Sequence, residues 1–132
     1  MSKENVDAVR LSNEAFNRGD LDGALASYHP DVVWHDLNHP PDVPARTHGI
    51  QVIRDTLGDW NSSFPELTAD VVEYIDAGDA VVCVTTWHGS GAGSGLSVDQ
   101  TSAEVYEFED GRIVRATLGY PSRAEALRAV GG

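Results

Sequence analysis

The sequence predicts an α+β fold, in which a curved antiparallel sheet forms a cone around an internal pocket and N-terminal helices close it. Two observations support this prediction. Apolar residues recur at helical spacing in the first part of the chain, and from Leu67 onward the pattern changes to strands rich in Val, Thr and aromatic residues. Helices followed by a run of strands are typical of the α+β class. With 132 residues, the chain has the usual size of one domain, so a single domain over residues 1–132 is expected.

Three helices are expected before the main run of strands. Apolar residues such as Val9 and Phe16 share one face of a helix from about residue 3 to 17. A second, short helix is expected after Asp20, a good N-cap, and to end at His29-Pro30, so that the two helices form a hairpin. Residues 31–36 indicate a strand, residues 38–44 a proline-rich loop at the pocket mouth, and residues 49–60 a third helix.

The second half of the chain predicts four successive antiparallel strands and a last helix. The turns at residues 77–79 and 109–111 contain Gly beside Asp, which favours tight hairpins. The glycine-rich run at 89–95 is expected to be a flexible hairpin tip, and Pro121 to open the last helix. The expected strands cover residues 67–75, 80–87, 96–108 and 112–120.

Charge and composition exclude several partners. The formal net charge is −12, and no Lys or Arg lies between Arg54 and Arg112. Such a chain repels phosphate backbones, so nucleic acid and anionic membranes are not expected as partners. No apolar run approaches the ~18 residues that span a bilayer, and the N-terminus lacks a secretion signal, so a cytoplasmic location is expected.

Metal and cofactor chemistry find little support in the sequence. Cys83 is the single cysteine and lies in an apolar run, which indicates a core position. The glycine-rich run matches neither of the phosphate-binding loop patterns. Histidines and one carboxylate do cluster in about twenty residues, but their spacing crosses a strand, a loop and a helix end, so no metal and no cofactor is expected. These residues are His29, His35, Asp36, His39 and His48.

Several local motifs resemble one family. The run from Phe16 to Asp36 is similar to the opening of SnoaL-like polyketide cyclases and ketosteroid isomerase-like proteins, which share the nuclear-transport-factor-2-like fold. Residues 46–50 resemble that superfamily's entry into its third helix, residues 108–114 its last hairpin, and residues 123–127 a tail common in its bacterial members. The resemblance implies the cone-shaped fold, a homodimer and a small hydrophobic molecule as partner. The fold hosts many reactions, so the reaction itself stays open.

The resemblance also assigns roles to two carboxylates. Asp36, at the end of the first strand, falls where ketosteroid isomerases carry their general base. Glu104 falls where those enzymes place a protonated acid that stabilises an oxyanion. In ketosteroid isomerase, apolar surroundings keep that carboxyl group neutral. The isomerase tyrosine on the first helix corresponds here to Ser12. The alternative is structural: Asp36 caps the loop that follows it, and Glu104 faces solvent.

We expect Asp36 and Glu104 to project into one pocket that is lined by aromatic side chains. Trp34 shares its strand face with Asp36, whereas His35 faces the opposite way. If Glu104 points inward, then Gln100, Ser102 and Tyr106 face the cavity as well. Further residues expected to contact a ligand are Ser12, Trp34, His48, Trp60, Trp87 and Tyr120.

Two classes of function remain from the sequence. The first is a cofactor-independent acid/base enzyme, of isomerase, cyclase, dehydratase or epoxide-hydrolase type, that acts on a small hydrophobic polyketide- or steroid-like molecule. The second is a non-catalytic small-molecule-binding or dimerisation domain of the same fold. A cavity lined by ionisable groups would favour the first class, and one closed by Trp and Leu alone would favour the second.

Overall fold

Ten elements follow one another in the computed structural model, which describes residues 2–37, 46–63, 67–90 and 97–131. The proline-rich loop predicted at 38–44 and most of the glycine-rich run lie outside these residues. In chain order the elements are α1 (Ser2–Asn17), α2 (Leu21–Ala24), β1 (Tyr28–Asp36), β2 (Arg46–His48), α3 (Ile50–Ser63), β3 (Thr68–Asp76), β4 (Ala80–Ser90), β5 (Ser97–Glu109), β6 (Arg112–Tyr120) and α4 (Arg123–Ala129).

The second helix is shorter than expected. Asp20 caps it as predicted, because its side chain accepts a hydrogen bond from the Gly23 N–H at 2.9 Å. The helix ends at Ala24, however, and Tyr28 already belongs to β1. The reason is tertiary: the Ile113 N–H of β6 donates to the Ser27 carbonyl at 2.8 Å, and Tyr28 pairs with Ile113. Sheet pairing therefore overrides the helical spacing of the apolar residues.

The strands form one six-stranded sheet in the order β2-β1-β6-β5-β4-β3. The three pairs β3-β4, β4-β5 and β5-β6 are antiparallel, as predicted. β1 is antiparallel to β2 and runs parallel to β6. The short edge strand β2 was not expected from the sequence. Since β2 and β3 are both edges, the curved sheet does not close into a barrel.

Both tight hairpins form where they were predicted. Gly78 adopts a φ of +81° between β3 and β4, and Asp110 and Gly111 adopt φ values of 53° and +79° between β5 and β6. These left-handed conformations suit Gly and are tolerated by Asp, which explains the turn sequences. These turns fix the pairing registers of β3 with β4 and of β5 with β6, and so position the side chains of the candidate site.

The two faces of the sheet bury different clusters. We call the face towards α1 and α3 the concave face and the face towards α4 the convex face. The concave face carries the larger apolar cluster, which includes Trp34, Ile53 and Ile113. The convex face carries a smaller one, whose buried members are Ala80, Val82, Ala103, Val105 and Ala126. None of the helices in the described ranges has the length and hydropathy required to cross a bilayer.

Candidate active site

A cavity lies between the concave face and helices α1 and α3. Its volume is about 50 Å³, which is room for a few water molecules. The cavity floor comes from β1 and β3 to β6, and the roof from α1, α2 and α3. The side chains that line it are Val9, Ser12, Asn13, Phe16, Ala24, Tyr28, Trp34, Leu57, Trp60, Val71, Cys83, Thr85, Trp87, Glu104, Tyr106, Ile113 and Leu118.

All three tryptophans of the chain line this cavity. The Trp60 ring, on α3, lies 6.0 Å from the Trp34 ring and 6.1 Å from the Trp87 ring, between centroids. Phe16 of α1 meets Trp87 edge to face at 6.2 Å. These edge and tilted contacts are favourable for aromatic rings. The predicted positions of Trp34, Trp60 and Trp87 around one cavity thus agree with the structure.

Glu104 is the one carboxylate among the described residues that line the cavity, and only 2% of its surface is exposed. The Thr85 hydroxyl donates to its Oε1 at 2.6 Å, and the Ser102 hydroxyl donates to its Oε2 at 2.6 Å. The register explains this geometry, because Cys83 of β4 lies opposite Glu104, and Thr85 lies opposite Ser102. The solvent-facing alternative for Glu104 is therefore wrong.

Burial raises the pKa of the Glu104 carboxyl above its ordinary value of 4.5. Hydrogen bonds from Ser102, Thr85 and Trp87 act in the opposite direction, because they stabilise the charged form. Desolvation is the larger effect. Glu104 is thus a carboxyl group that can both accept and return a proton closer to neutral pH than an ordinary glutamate can.

Glu104 belongs to a short chain of hydrogen bonds. The Trp87 indole N–H donates to the Ser102 oxygen at 3.1 Å, so the Ser102 proton is available for Glu104. The Thr85 and Ser102 hydroxyls each lie 2.6 Å from one of the two carboxyl oxygens. These contacts hold the carboxyl group in one orientation in the cavity wall and stabilise its charged form.

Asp36 does not line the cavity, which corrects the prediction that both carboxylates share it. In the sheet, Asp36 pairs with Leu118, and Leu118 pairs in turn with Glu104. Asp36 and Glu104 therefore lie in one row on the concave face, with about 10 Å between their Cα atoms at two strand spacings. Leu118 lines the cavity between them. Asp36 lies at the end of β1, just before the residues that the structure does not describe.

Three other expected contact residues lie away from the cavity. His48 is exposed on β2, with its Nε2 atom 3.9 Å from Asp31 Oδ1. Tyr120 belongs to the convex face, because a register shift in the middle of β5 pairs it with Ala103, and it packs against the cluster under α4. Gln100 is exposed. A ligand role for these three side chains finds no support in the geometry.

Ser12 lines the cavity as predicted, but its proton is already used. Its hydroxyl donates to the Ala24 carbonyl at 2.6 Å, which joins α1 to α2. Ser12 also interacts with the phenol of Tyr28, whose pKa burial raises strongly. The Ser12 hydroxyl therefore donates its hydrogen bond between the two helices and not to a ligand.

Sequence reasoning missed two cavity residues, Cys83 and Thr85, that the strand period could have found. Cys83, Thr85 and Trp87 alternate along β4, so an inward Trp87 places the other two on the same face. Burial, and then the charge of Glu104, raise the pKa of the Cys83 thiol, which keeps it protonated and a poor nucleophile. Tyr28, which was expected within the second helix, lies at the start of β1 and lines the cavity.

Metal ligands do not assemble in the described ranges. Among those residues, no group of three or more His, Cys, Asp or Glu side chains could hold a metal ion. His39 lies outside them. His35, by the alternation of β1, faces the convex side, opposite to Asp36, as the sequence predicted.

The sequence profile of the SnoaL-like domain matches residues 9–116. The chain therefore belongs to the SnoaL-like domain family, and the resemblance seen in its motifs is confirmed. The α+β prediction is confirmed with it. A search of curated proteins found no match.

Solved structures of the same fold include proteins of several described activities. A nuclear-transport-factor-2-like protein of unknown function from Burkholderia pseudomallei is 28% identical, with a TM-score of 0.79 and 98% of each chain covered. A candidate polyketide cyclase from Xanthomonas campestris pv. campestris is 27% identical, with a TM-score of 0.75 and 98% of each chain covered. A candidate isomerase from Bacillus subtilis is 22% identical, with a TM-score of 0.79 over 98% of this chain and 94% of that one, and supports the fold alone.

Proposed function

We propose that the protein is a cofactor-independent acid/base enzyme that moves a proton on a small hydrophobic carbonyl compound, with Glu104 as the base. The observation that carries the proposal is the buried Glu104 carboxyl, held by two hydroxyl donors in a wall of aromatic rings. An ionisable group costs stability when it is buried, so its placement in a cavity favours a chemical role. Reaction types of this kind include isomerisation and cyclisation.

The proton transfer follows from the chemistry of a desolvated carboxylate. Glu104 takes the proton from a carbon next to the substrate carbonyl, and the electron pair of that C–H bond moves to give an enolate. The same proton then returns from Glu104 to carbon, at the same or another position. A pKa above the ordinary value strengthens the base and still allows the acid to donate, which both halves of this cycle require.

The substrate class follows from the lining. Three indole rings, Phe16 and aliphatic side chains surround the carboxyl, so a flat, uncharged molecule fits better than a sugar or a phosphate. The cavity volume of about 50 Å³ is smaller than such a molecule. Entry therefore requires movement of the half-buried Trp60 or Trp87. The homodimer and the cytoplasmic location stay predictions.

Deuterium exchange tests the proposed chemistry without knowledge of the natural substrate. The unaltered protein is incubated with 2-tetralone, a fused-ring ketone with acidic C–H bonds, in deuterated buffer, and exchange is followed by proton NMR. We expect exchange above the buffer rate. Glu104→Gln should slow it by about 10²–10⁴-fold, because the amide cannot accept the proton. The matched control is Glu109→Gln, an exposed change on the same strand, which should leave the rate unchanged.

The alternative function is a non-catalytic binding domain, in which the same cavity holds a small molecule without proton transfer. Binding is measured separately, by the fluorescence of the three cavity tryptophans. Ketone that changes this fluorescence but exchanges no faster than in buffer would support the binding domain. Equal exchange rates in the unaltered protein and in Glu104→Gln would contradict Glu104 as the base.

A further inference from the structure

An enolate-forming site needs a hydrogen-bond donor for the oxygen on which negative charge develops. Most hydroxyl groups around the cavity already have an acceptor for their proton. Thr85 and Ser102 donate to Glu104, and Ser12 donates to the Ala24 carbonyl. The Tyr28 phenol interacts with Ser12. These four hydroxyl groups hydrogen-bond within the protein, so none of them is the donor for the substrate oxygen.

Tyr106 is different from these hydroxyl groups. It lines the cavity two residues after Glu104 on β5, so both side chains project from the same face, about 7 Å apart at their Cα atoms. Within the described ranges its hydroxyl has no side-chain hydrogen bond. The fully enclosed side-chain atom that lacks a partner in those ranges is Oγ1 of Thr47 instead. Because Tyr106 lines the cavity and no described side chain accepts from its hydroxyl, this hydroxyl is the candidate donor for a ligand oxygen.

Trp34 and Trp60 also line the cavity, but an indole N–H can only donate a hydrogen bond and does not give up its proton near neutral pH. A phenol can donate a hydrogen bond and, when the developing oxyanion is basic enough, a proton. Burial is the main effect that raises the pKa of Tyr106, followed by the neighbouring Tyr28 and Glu104. The phenol is thus in its protonated, donating form across the neutral range.

We propose that Tyr106 is a second catalytic residue, whose phenol binds the substrate carbonyl oxygen and stabilises the enolate that Glu104 generates. This inference rests on the proposed function of Glu104. In the forward step the C–H bond breaks, its proton goes to Glu104, its electron pair forms the C=C bond, and the carbonyl oxygen takes the charge while it accepts the Tyr106 hydrogen bond. Reprotonation at carbon reverses the charge shift, with no net oxidation or reduction.

Tyr106 thus takes the role of hydrogen-bond donor to the enolate oxygen, which the resemblance assigned to a residue on the first helix. Ser12 occupies that helix position, but its proton is committed to the Ala24 carbonyl. A tyrosine on β5 reaches the same cavity from the floor. The substrate must then carry its oxygen towards the Tyr106 side of Glu104, away from Ser102 and Trp87. This restricts the substrates to molecules whose carbonyl lies next to the exchangeable C–H bond.

The test compares Tyr106→Phe with Tyr74→Phe in the 2-tetralone exchange assay. Phe keeps the ring and its packing, and a thermal melt checks that each variant is folded. We expect Tyr106→Phe to lower the maximum exchange rate by about 10²–10³-fold, the usual loss for one oxyanion donor, with little change in KM. Tyr74 lies outside the cavity, beneath the guanidinium of Arg10 at 5.2 Å, so Tyr74→Phe should match the unaltered protein.

Each outcome decides between the two proposals. Exchange that is lost in Glu104→Gln but retained in Tyr106→Phe would overturn the role of Tyr106 and leave Glu104 as the base. A raised KM with an unchanged maximum rate would also overturn it, because it would indicate a contact made equally in the ground state. No exchange above buffer in the unaltered protein would overturn both proposals.

Discussion

The two faces of strand β5 bury side chains of different chemistry. On the concave face, Glu104 and Ser102 are buried polar groups joined by hydrogen bonds, and on the convex face Ala103 and Val105 are buried among other small apolar residues. From Ser102 to Val105, buried polar and buried apolar side chains therefore alternate along the strand. The convex cluster has the composition of an ordinary core, which burial of apolar surface stabilises.

This difference shows where the fold accepts a cost in stability. A buried carboxyl destabilises a protein unless donors compensate it. The concave face supplies those donors to Glu104 through Thr85 and Ser102, and the Trp87 indole supports Ser102 in turn. On the convex face, the buried members of the cluster are Ala and Val and offer no side-chain donor.

The largest expected effect comes from a carboxyl placed on the convex face. Val82 is fully buried, and its cross-strand partners are Ile75 and Val105. Val82→Glu should lower the free energy of unfolding by about 3–5 kcal/mol, the usual cost of an uncompensated buried charge. Urea denaturation measures the change.

The control is Val72→Glu on β3, where Val72 is 61% exposed. It should change the free energy of unfolding by less than about 0.5 kcal/mol. Equal losses in the two variants would remove the contrast between the faces, because burial would then not decide the cost.

A smaller effect is expected when one donor of Glu104 is removed. Ser102→Ala leaves Oε2 of Glu104 and the Trp87 indole without their shared partner. We expect a loss of about 1–3 kcal/mol in the free energy of unfolding and a further rise of the Glu104 pKa. Thr101→Ala, which removes an exposed hydroxyl bonded to Thr86, is the matched control. A lower Glu104 pKa in Ser102→Ala would contradict the donor role.

The pH dependence of stability gives the smallest change. Glu104 has a raised pKa in the folded protein, so between 4.5 and that pKa the folded chain holds more protons than the unfolded chain. Its contribution to stability is present below 4.5 and is lost as the pH rises through the folded pKa. The difference in unfolding free energy between the unaltered protein and Glu104→Gln should fall by up to about 1.4 kcal/mol per pH unit. A difference that rises with pH would contradict the shift.

Local patterns in the sequence predicted the fold well. The Val- and Thr-rich runs and the turns at Gly78 and Gly111 predicted four strands in the order that the sheet confirms. The period of two predicted that Glu104 and Tyr106 face one way, and Val105 the other. Such signals depend on neighbouring residues, which a sequence displays directly.

Features that depend on distant pairings were not accessible in this way. The parallel pairing of β1 with β6 draws Tyr28 into the sheet, although its spacing suits a helix. The shift that pairs Ala103 with Tyr120 and Glu104 with Leu118 moves Tyr120 to the convex face. Asp36 follows Trp34 by one strand period, yet the cavity ends at Leu118. Only the assembled sheet determines which of these residues meet.

The most direct test of the account is a carbon-13 NMR titration of the Glu104 side-chain carboxyl, assigned by its absence in Glu104→Gln. The proposed base is a desolvated carboxyl that exchanges a proton closer to neutral pH than an ordinary glutamate does. We therefore expect a midpoint above 4.5, and a higher one still in Ser102→Ala. A midpoint at or below 4.5 would contradict it, because Glu104 would then be an ordinary carboxylate, too weak a base for the proposed proton transfer.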